Sequence, residues 1–222
     1  MCSSDLESFL ARLDQLKHGR NVARLASVLG REFPQWLLEA ASGLDAEKLR
    51  GSLDALVDAD VLRIRGAGQQ RVYQFKHALL QEAAYDSLLP KTRRQLHQEI
   101  AELITGRFPE MAARQPELVA RHFTEAGLGE RAIPYWYQAG VEALGRSAYV
   151  EALSHLERGL EVHGALQADC RNPSHELMLL ACRGPALVAT RGFGAPLVGE
   201  TYRRAEQLLP LSNSAALALP TL

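Results

Sequence analysis

In Val61-Leu62-Arg63-Ile64-Arg65-Gly66-Ala67-Gly68-Gln69-Gln70-Arg71-Val72-Tyr73-Gln74-Phe75-Lys76-His77 the apolar residues change from helical spacing to alternation. Leu62 and Ile64 face one way and Arg63 and Arg65 the other, although Val61 breaks the pattern. Val72-Tyr73-Gln74-Phe75 repeats the alternation after a loop holding Gly66 and Gly68. Two short alternating runs joined by a glycine-containing loop predict a β-hairpin.

Upstream, the pattern is helical. Val22, Leu25, Ala26, Val28 and Leu29 form a stripe that stops at Gly30. Pro34 opens the first turn of a segment with Trp36, Leu37 and Leu38 that stops at Gly43, and Asp45 caps a third helix whose buried face is Leu49, Leu53, Leu56 and Val57. Three short helices followed by a hairpin is the element order of a winged helix-turn-helix, over roughly residues 20–77. The next helix, with Leu79, Leu80, Ala83, Ala84 and Leu88, extends that domain to residues 20–89. Before it, Leu6, Phe9, Leu10, Leu13 and Leu16 mark an amphipathic helix, so residues 1–19 read as a linker from a preceding module.

Downstream of Pro90 only helical periodicity remains, interrupted at Pro109, Gly127-Leu128-Gly129, Gly145, Gly164 and Gly192-Phe193-Gly194. Paired helices of this length suggest an α-solenoid over residues 90–210, with residues 211–222 a truncated or disordered tail. The tetratricopeptide pattern, about 34 residues long, sets small residues where two helices approach and large ones where they leave a gap. Trp136, Gly140, Ala152 and Leu156 stand at its spacings of 4, 12 and 4, with Tyr149 at the turn and Ala143 where an aromatic is usual. Ala186, Tyr202, Ala205 and Pro210 match a second unit whose register is altered by the turn at Gly192 to Pro196. The expected fold is mainly α: a small winged-helix domain followed by a tetratricopeptide-like solenoid.

The chain has 222 residues, 47% of them hydrophobic and 23% charged, which is the composition of a globular chain with a real core. Lys and Arg number 25 against 26 Asp and Glu, so no overall field favours a polyanion or an anionic membrane. Cys2, Cys170 and Cys182 are scattered, which fits a reducing compartment, and no apolar run is long enough to cross a bilayer, so a cytoplasmic location is expected. There is no Gly-Lys dipeptide and hence no Walker-type phosphate loop, no H-E-x-x-H and no G-x-S-x-G elbow. Catalytic residues, resident cofactors and metal ligands are therefore not expected in this chain. His155 and His163, eight apart on one helix, lack a carboxylate to complete a metal site.

A winged helix invites a DNA-binding reading, which is the alternative: a transcription regulator. Its third helix, however, carries Asp45, Glu47, Asp54, Asp58 and Asp60 against Lys48 and Arg50, a face that phosphate would repel. Arg63, Arg65, Arg71 and Lys76 on the hairpin are the only local basic cluster there, and they read equally as a wing on phosphate or as a solvated strand face. His77 stands between the last strand and the next helix, where free backbone N–H groups suit an anion, or where it simply caps the helix.

Several runs resemble the region that follows the ATPase module in bacterial signal-transduction ATPases of the STAND class. They are Ala11-Arg12-Leu13-Asp14, Leu29-Gly30-Arg31-Glu32-Phe33, Phe75-Lys76-His77-Ala78-Leu79 with Tyr85, Gln115-Pro116-Glu117-Leu118, His122-Phe123-Thr124-Glu125-Ala126-Gly127 and Ala132-Ile133-Pro134-Tyr135-Trp136. Multidomain class III adenylate/guanylate cyclases with tetratricopeptide repeats are the most similar members. The resemblance implies a winged helix folded back on a nucleotide-binding core outside this chain, ATP or ADP bound in the full-length parent, and repeats that bind a protein partner. It also implies that His77 matches the histidine of the Met-His-Asp triplet that contacts the β-phosphate of ADP. Lys76 and Ala78 depart from that triplet. Arg121, His122, Glu125, Gln138 and Glu142 are the expected polar residues of a partner-binding face.

Overall fold

The computed structural model describes residues 19–68 and 71–211; the expected helix from Leu6 to Leu16 and the tail after residue 211 lie outside them. The chain is mainly helical, with one three-stranded antiparallel sheet. It divides into two compact units between Leu103 and Ile104, inside a single long helix.

In the first unit, α1 (Gly19–Leu29) presents Ala23 and Ala26, both fully buried, so that neighbouring helices approach its backbone closely. Then come β1 (Glu32–Pro34), α2 (Gln35–Ser42) and α3 (Ala46–Asp58). Gly43, at φ +62°, takes the left-handed conformation that ends α2 at little steric cost. Asp45 caps α3 as its position predicts, its carboxylate accepting from the Lys48 backbone N–H at 2.8 Å. The hairpin is β2 (Leu62–Arg65) and β3 (Val72–Phe75).

The sequence pattern did not reveal β1, which pairs with β3 through Phe33 opposite Tyr73 and makes the strand order β1-β3-β2. That placement alters the hairpin. β3 becomes central, so Tyr73, Gln74 and Phe75 are all buried, and the Gln74 side-chain oxygen is satisfied by Arg63 Nε at 2.7 Å. Leu62, opposite Phe75, is buried, whereas Ile64, two pairs further out, is 41% exposed. Phe33 lies 6.2 Å from both Tyr73 and Phe75, ring centroid to centroid, and this aromatic cluster joins the sheet to the helices.

After the sheet, α4 (Ala78–Asp86) packs on α1, with Gln81 Nε2 donating to the Ser27 carbonyl at 2.8 Å and Arg24 Nε to Ser87 Oγ at 2.9 Å. Tyr85 then holds the start of α5 (Pro90–Arg107): its hydroxyl is 3.0 Å from His97 Nε2, and the Arg93 guanidinium lies 4.7 Å over its ring.

The second unit is helical throughout its described residues: α6 (Pro109–Arg114), α7 (Pro116–Glu125), α8 (Gly129–Gly145), α9 (Tyr149–Ala165), α10 (Pro173–Arg191) and α11 (Pro196–Leu208). Proline opens α6, α7, α10 and α11, where a missing N–H costs nothing. Successive helices pack against one another, and glycines sit where they meet, Gly140, Gly159 and Gly184 among them. A Cβ on Gly140 would lie 2.5 Å from Leu156 Cδ2, one on Gly159 would lie 2.8 Å from Leu179 Cδ2, and one on Gly184 would lie 2.6 Å from the Tyr202 hydroxyl. Around these crossings Ala143, Ala152, Leu153, Ala186, Leu187 and Val198 form one buried cluster, and Leu177, Leu180 and Leu208 another.

The crossings differ in how well they can yield. Leu156 is fully buried, but Tyr202 is 44% exposed and free to swing outward. Gly140→Ala should therefore destabilise the chain by about 1–2 kcal/mol, overpacking outweighing the gain in helix propensity. Gly184→Ala should cost less. At Gly164, whose added Cβ meets nothing, the same change should stabilise by up to about 1 kcal/mol. Denaturant midpoints for the three variants check this order.

Candidate functional site

His77 occupies the N-cap position of α4 in extended conformation, immediately after the central strand and Lys76. Its side chain makes no capping hydrogen bond and is exposed, as are those of Ala78 and Leu79. The helix-capping reading of this histidine is therefore not realised; the ring stands at the surface beside the first turn of the helix. The basic residues of the hairpin are largely engaged by neighbours: Arg63 by Gln74, Arg65 by Glu32 at 4.0 Å, and Lys76 by Asp60.

The second unit carries a groove between α7 and α9, over α8. It consists of two concavities of about 550 and 490 Å³ that share Glu117 and His155 in their linings. Trp136, on α8, lies at the base, its indole N–H donating to Thr124 Oγ1 at 3.0 Å while Thr124 donates to the Ala120 carbonyl at 2.8 Å. His155 stacks on the indole at 5.9 Å with 27° between the ring planes. This chain of contacts fixes an aromatic floor between two polar walls.

Of the residues expected on a partner-binding face, Arg121 and Glu125 line the first concavity and Glu142 the second. Gln138 supports that wall by donating to Glu142 at 3.0 Å. His122 is corrected: it is fully buried, because it falls on the side of α7 that carries Val119 and Phe123. The spacing of polar residues along α7 does not reveal which side is inward, and Glu117, Trp136 and His155 were missed as groove residues for the same reason. The signal available was Glu117, Arg121 and Glu125 at intervals of four on one helical stripe.

Within the groove, Arg146 pairs with Glu151 at 2.9 Å and Arg158 with Glu161 at 2.9 Å, while Arg183 reaches Glu157 at 3.3 Å. The Arg146 hydrogen bond holds the Glu151 carboxyl below the usual carboxylate value, and His155, 3.6 Å away, adds to the effect. His163, by contrast, is buried elsewhere, its Nε2 3.1 Å from the Asn172 carbonyl, so the two histidines of α9 share no site. Among the described residues no group of three or more His, Cys, Asp or Glu is placed to hold a metal ion. Burial pushes the Cys182 thiol up, and hydrogen bonding to Glu130 does the same for Cys170, so neither is poised as a thiolate at neutral pH. No described helix is long and apolar enough to cross a membrane.

Comparison with known proteins gives one informative match. The chain is 33% identical over 208 residues to an uncharacterized protein of Rhizobium meliloti (strain 1021), an alignment covering 92% of this chain and 20% of the relative. The chain thus spans about one fifth of the length of the curated relative it matches. No protein-family profile and no solved structure matches it.

Removing Arg146 should let Glu151 titrate closer to an ordinary glutamate. In Arg146→Ala the side-chain carboxyl should protonate at higher pH than in the parent chain, read from its carbon chemical shift across an acid titration; an unmoved midpoint would mean the pair does not persist in solution.

Proposed function

We propose that this chain is a non-catalytic regulatory and protein-interaction part of an ATP-dependent signalling protein linked to an adenylate/guanylate cyclase. In this reading residues 20–89 are a winged helix that packs on a nucleotide-binding core, and residues 90–210 are tetratricopeptide-like repeats that bind a protein partner.

The observation that carries the reading is the recurrence of one crossing in successive helix pairs. Gly140 of α8 faces Leu156 of α9, and Gly184 of α10 faces Tyr202 of α11, a small residue against a large one in both pairs. The two spacings are 16 and 18, and the turn between α10 and α11 is one residue longer than that between α8 and α9. Repeating helical pairs expose extended surfaces to partners, and the groove over Trp136 is such a surface. The order of α1, α2, α3 and then the β2–β3 hairpin supports the winged-helix half. The great length of the Rhizobium relative is compatible with further modules.

His77 connects the two functions. An exposed imidazole beside the first turn of α4 offers a ring N–H next to backbone N–H groups to meet a phosphate. ADP held between core and winged helix would favour a closed state, and exchange for ATP or partner binding would shift the population away from it. In the longer protein, His77→Ala should speed ADP release by about tenfold, the factor equivalent to the lower range of such couplings. Stopped-flow displacement of a fluorescent ADP analogue measures this, and an unchanged off-rate counts against the role of His77.

A further inference from the structure

The groove between α7 and α9 has a chemical bias that names its occupant, on the reading of the second unit as a protein-binding one. Its lining holds six carboxylates, Glu117, Glu125, Glu142, Glu151, Glu157 and Glu161, against the four guanidinium groups of Arg114, Arg121, Arg146 and Arg158. Two of those arginines are committed to Glu151 and Glu161 at 2.9 Å, and Glu157 is met from outside the lining by Arg183 at 3.3 Å, which leaves Glu117, Glu125 and Glu142 beside Arg114 and Arg121. Glu117 and Glu125 enter no ion pair among the described residues, and Glu117 is half-buried at the junction of the two concavities. Arg121 lies one turn from each of them on the same stripe, and a carboxylate partly withdrawn from water gains more from a further incoming charge than an exposed one does. Beneath these acids lies the Trp136–His155 stack, its indole largely buried and its imidazole partly exposed, a flat surface that suits the stem of a long cationic side chain.

We propose that this groove binds a peptide segment of a partner protein through arginine or lysine side chains, with Glu117 and Glu125 as the receiving carboxylates and the Trp136–His155 stack as the floor. The two acids are eight residues apart on one helix, about 12 Å along its axis. Basic residues four apart in an extended segment, or eight apart in a helical one, match that separation.

The probes are three twelve-residue peptides of otherwise identical sequence with arginine, glutamine or glutamate at two positions four apart. Binding to the 222-residue chain is followed by fluorescence anisotropy at low and high salt, and located by backbone amide shifts. The arginine peptide should bind, should weaken with salt, and should shift amides of α7 and α9. The glutamate peptide should not bind. The double variant Glu117→Gln/Glu125→Gln, folded by circular dichroism, should lose about fivefold in affinity for the arginine peptide, and Glu206→Gln, at an exposed position of α11, should lose nothing. Equal binding of the arginine and glutamate peptides, no binding of the arginine peptide, an unaffected double variant, or shifts confined to other helices would each overturn the proposal. Those results leave the ADP-release test of His77 untouched, so this claim and the broader reading fail separately.

Discussion

Even a methyl group at residue 140 would press on Leu156, which already fills the space between α8 and α9. This exclusion governs the second unit. It lets the two helices approach until Ala143 and Ala152 are fully buried, and it brings α9 close enough for His155 to reach the face of Trp136. Fully buried alanines at a crossing contribute little area each, so cohesion comes from dense packing of many small contacts, and volume errors there are costly. The groove is a by-product of that closeness: α7 and α9 rise on either side of α8, and their outward polar residues become its walls.

A different constraint shapes the first unit. β3 is flanked by a strand on each side, so its backbone hydrogen-bonding groups are paired in both directions and its side chains are covered on both faces. The end of a strand so held is a fixed point. His77 follows it by two residues, and α4 starts at Ala78, tied back to α1 through Gln81. The exposed imidazole at this strand-to-helix junction is the position onto which the resemblance carries the proposed phosphate contact.

Local chemistry was readable in the sequence wherever it was decided within a few residues. Asp45, Gly43 and the prolines opening helices announce their boundaries because a cap or a left-handed residue acts on its immediate neighbours. The strand Glu32–Pro34 was not readable, since three residues ending in proline carry no period and their partner lies some forty residues away. For the same reason the alternation in Val72 to Phe75 misled: burial on both faces depends on β1, which the hairpin alone does not predict. In the groove, Arg121, Glu125 and Glu142 were named as polar residues without the sequence fixing which face is concave, and the inward turn of His122 and the pairing of Trp136 with His155 depend on how helices pack, which periodicity does not encode. The eightfold spacing of His155 and His163 shows the same limit, for one faces the groove and the other the core.

Paired helices meeting at small residues underlie both the core and the groove of the second unit. Methyl- and aromatic-resolved nuclear Overhauser spectroscopy of the chain tests this most directly. Cross-peaks from the Gly140 α-protons to the Leu156 methyls, and from the Gly184 α-protons to the Tyr202 ring, are the predicted result. Resolved glycine signals lacking both contacts, or showing them to residues of other helices instead, would contradict the repeat packing and the function built on it.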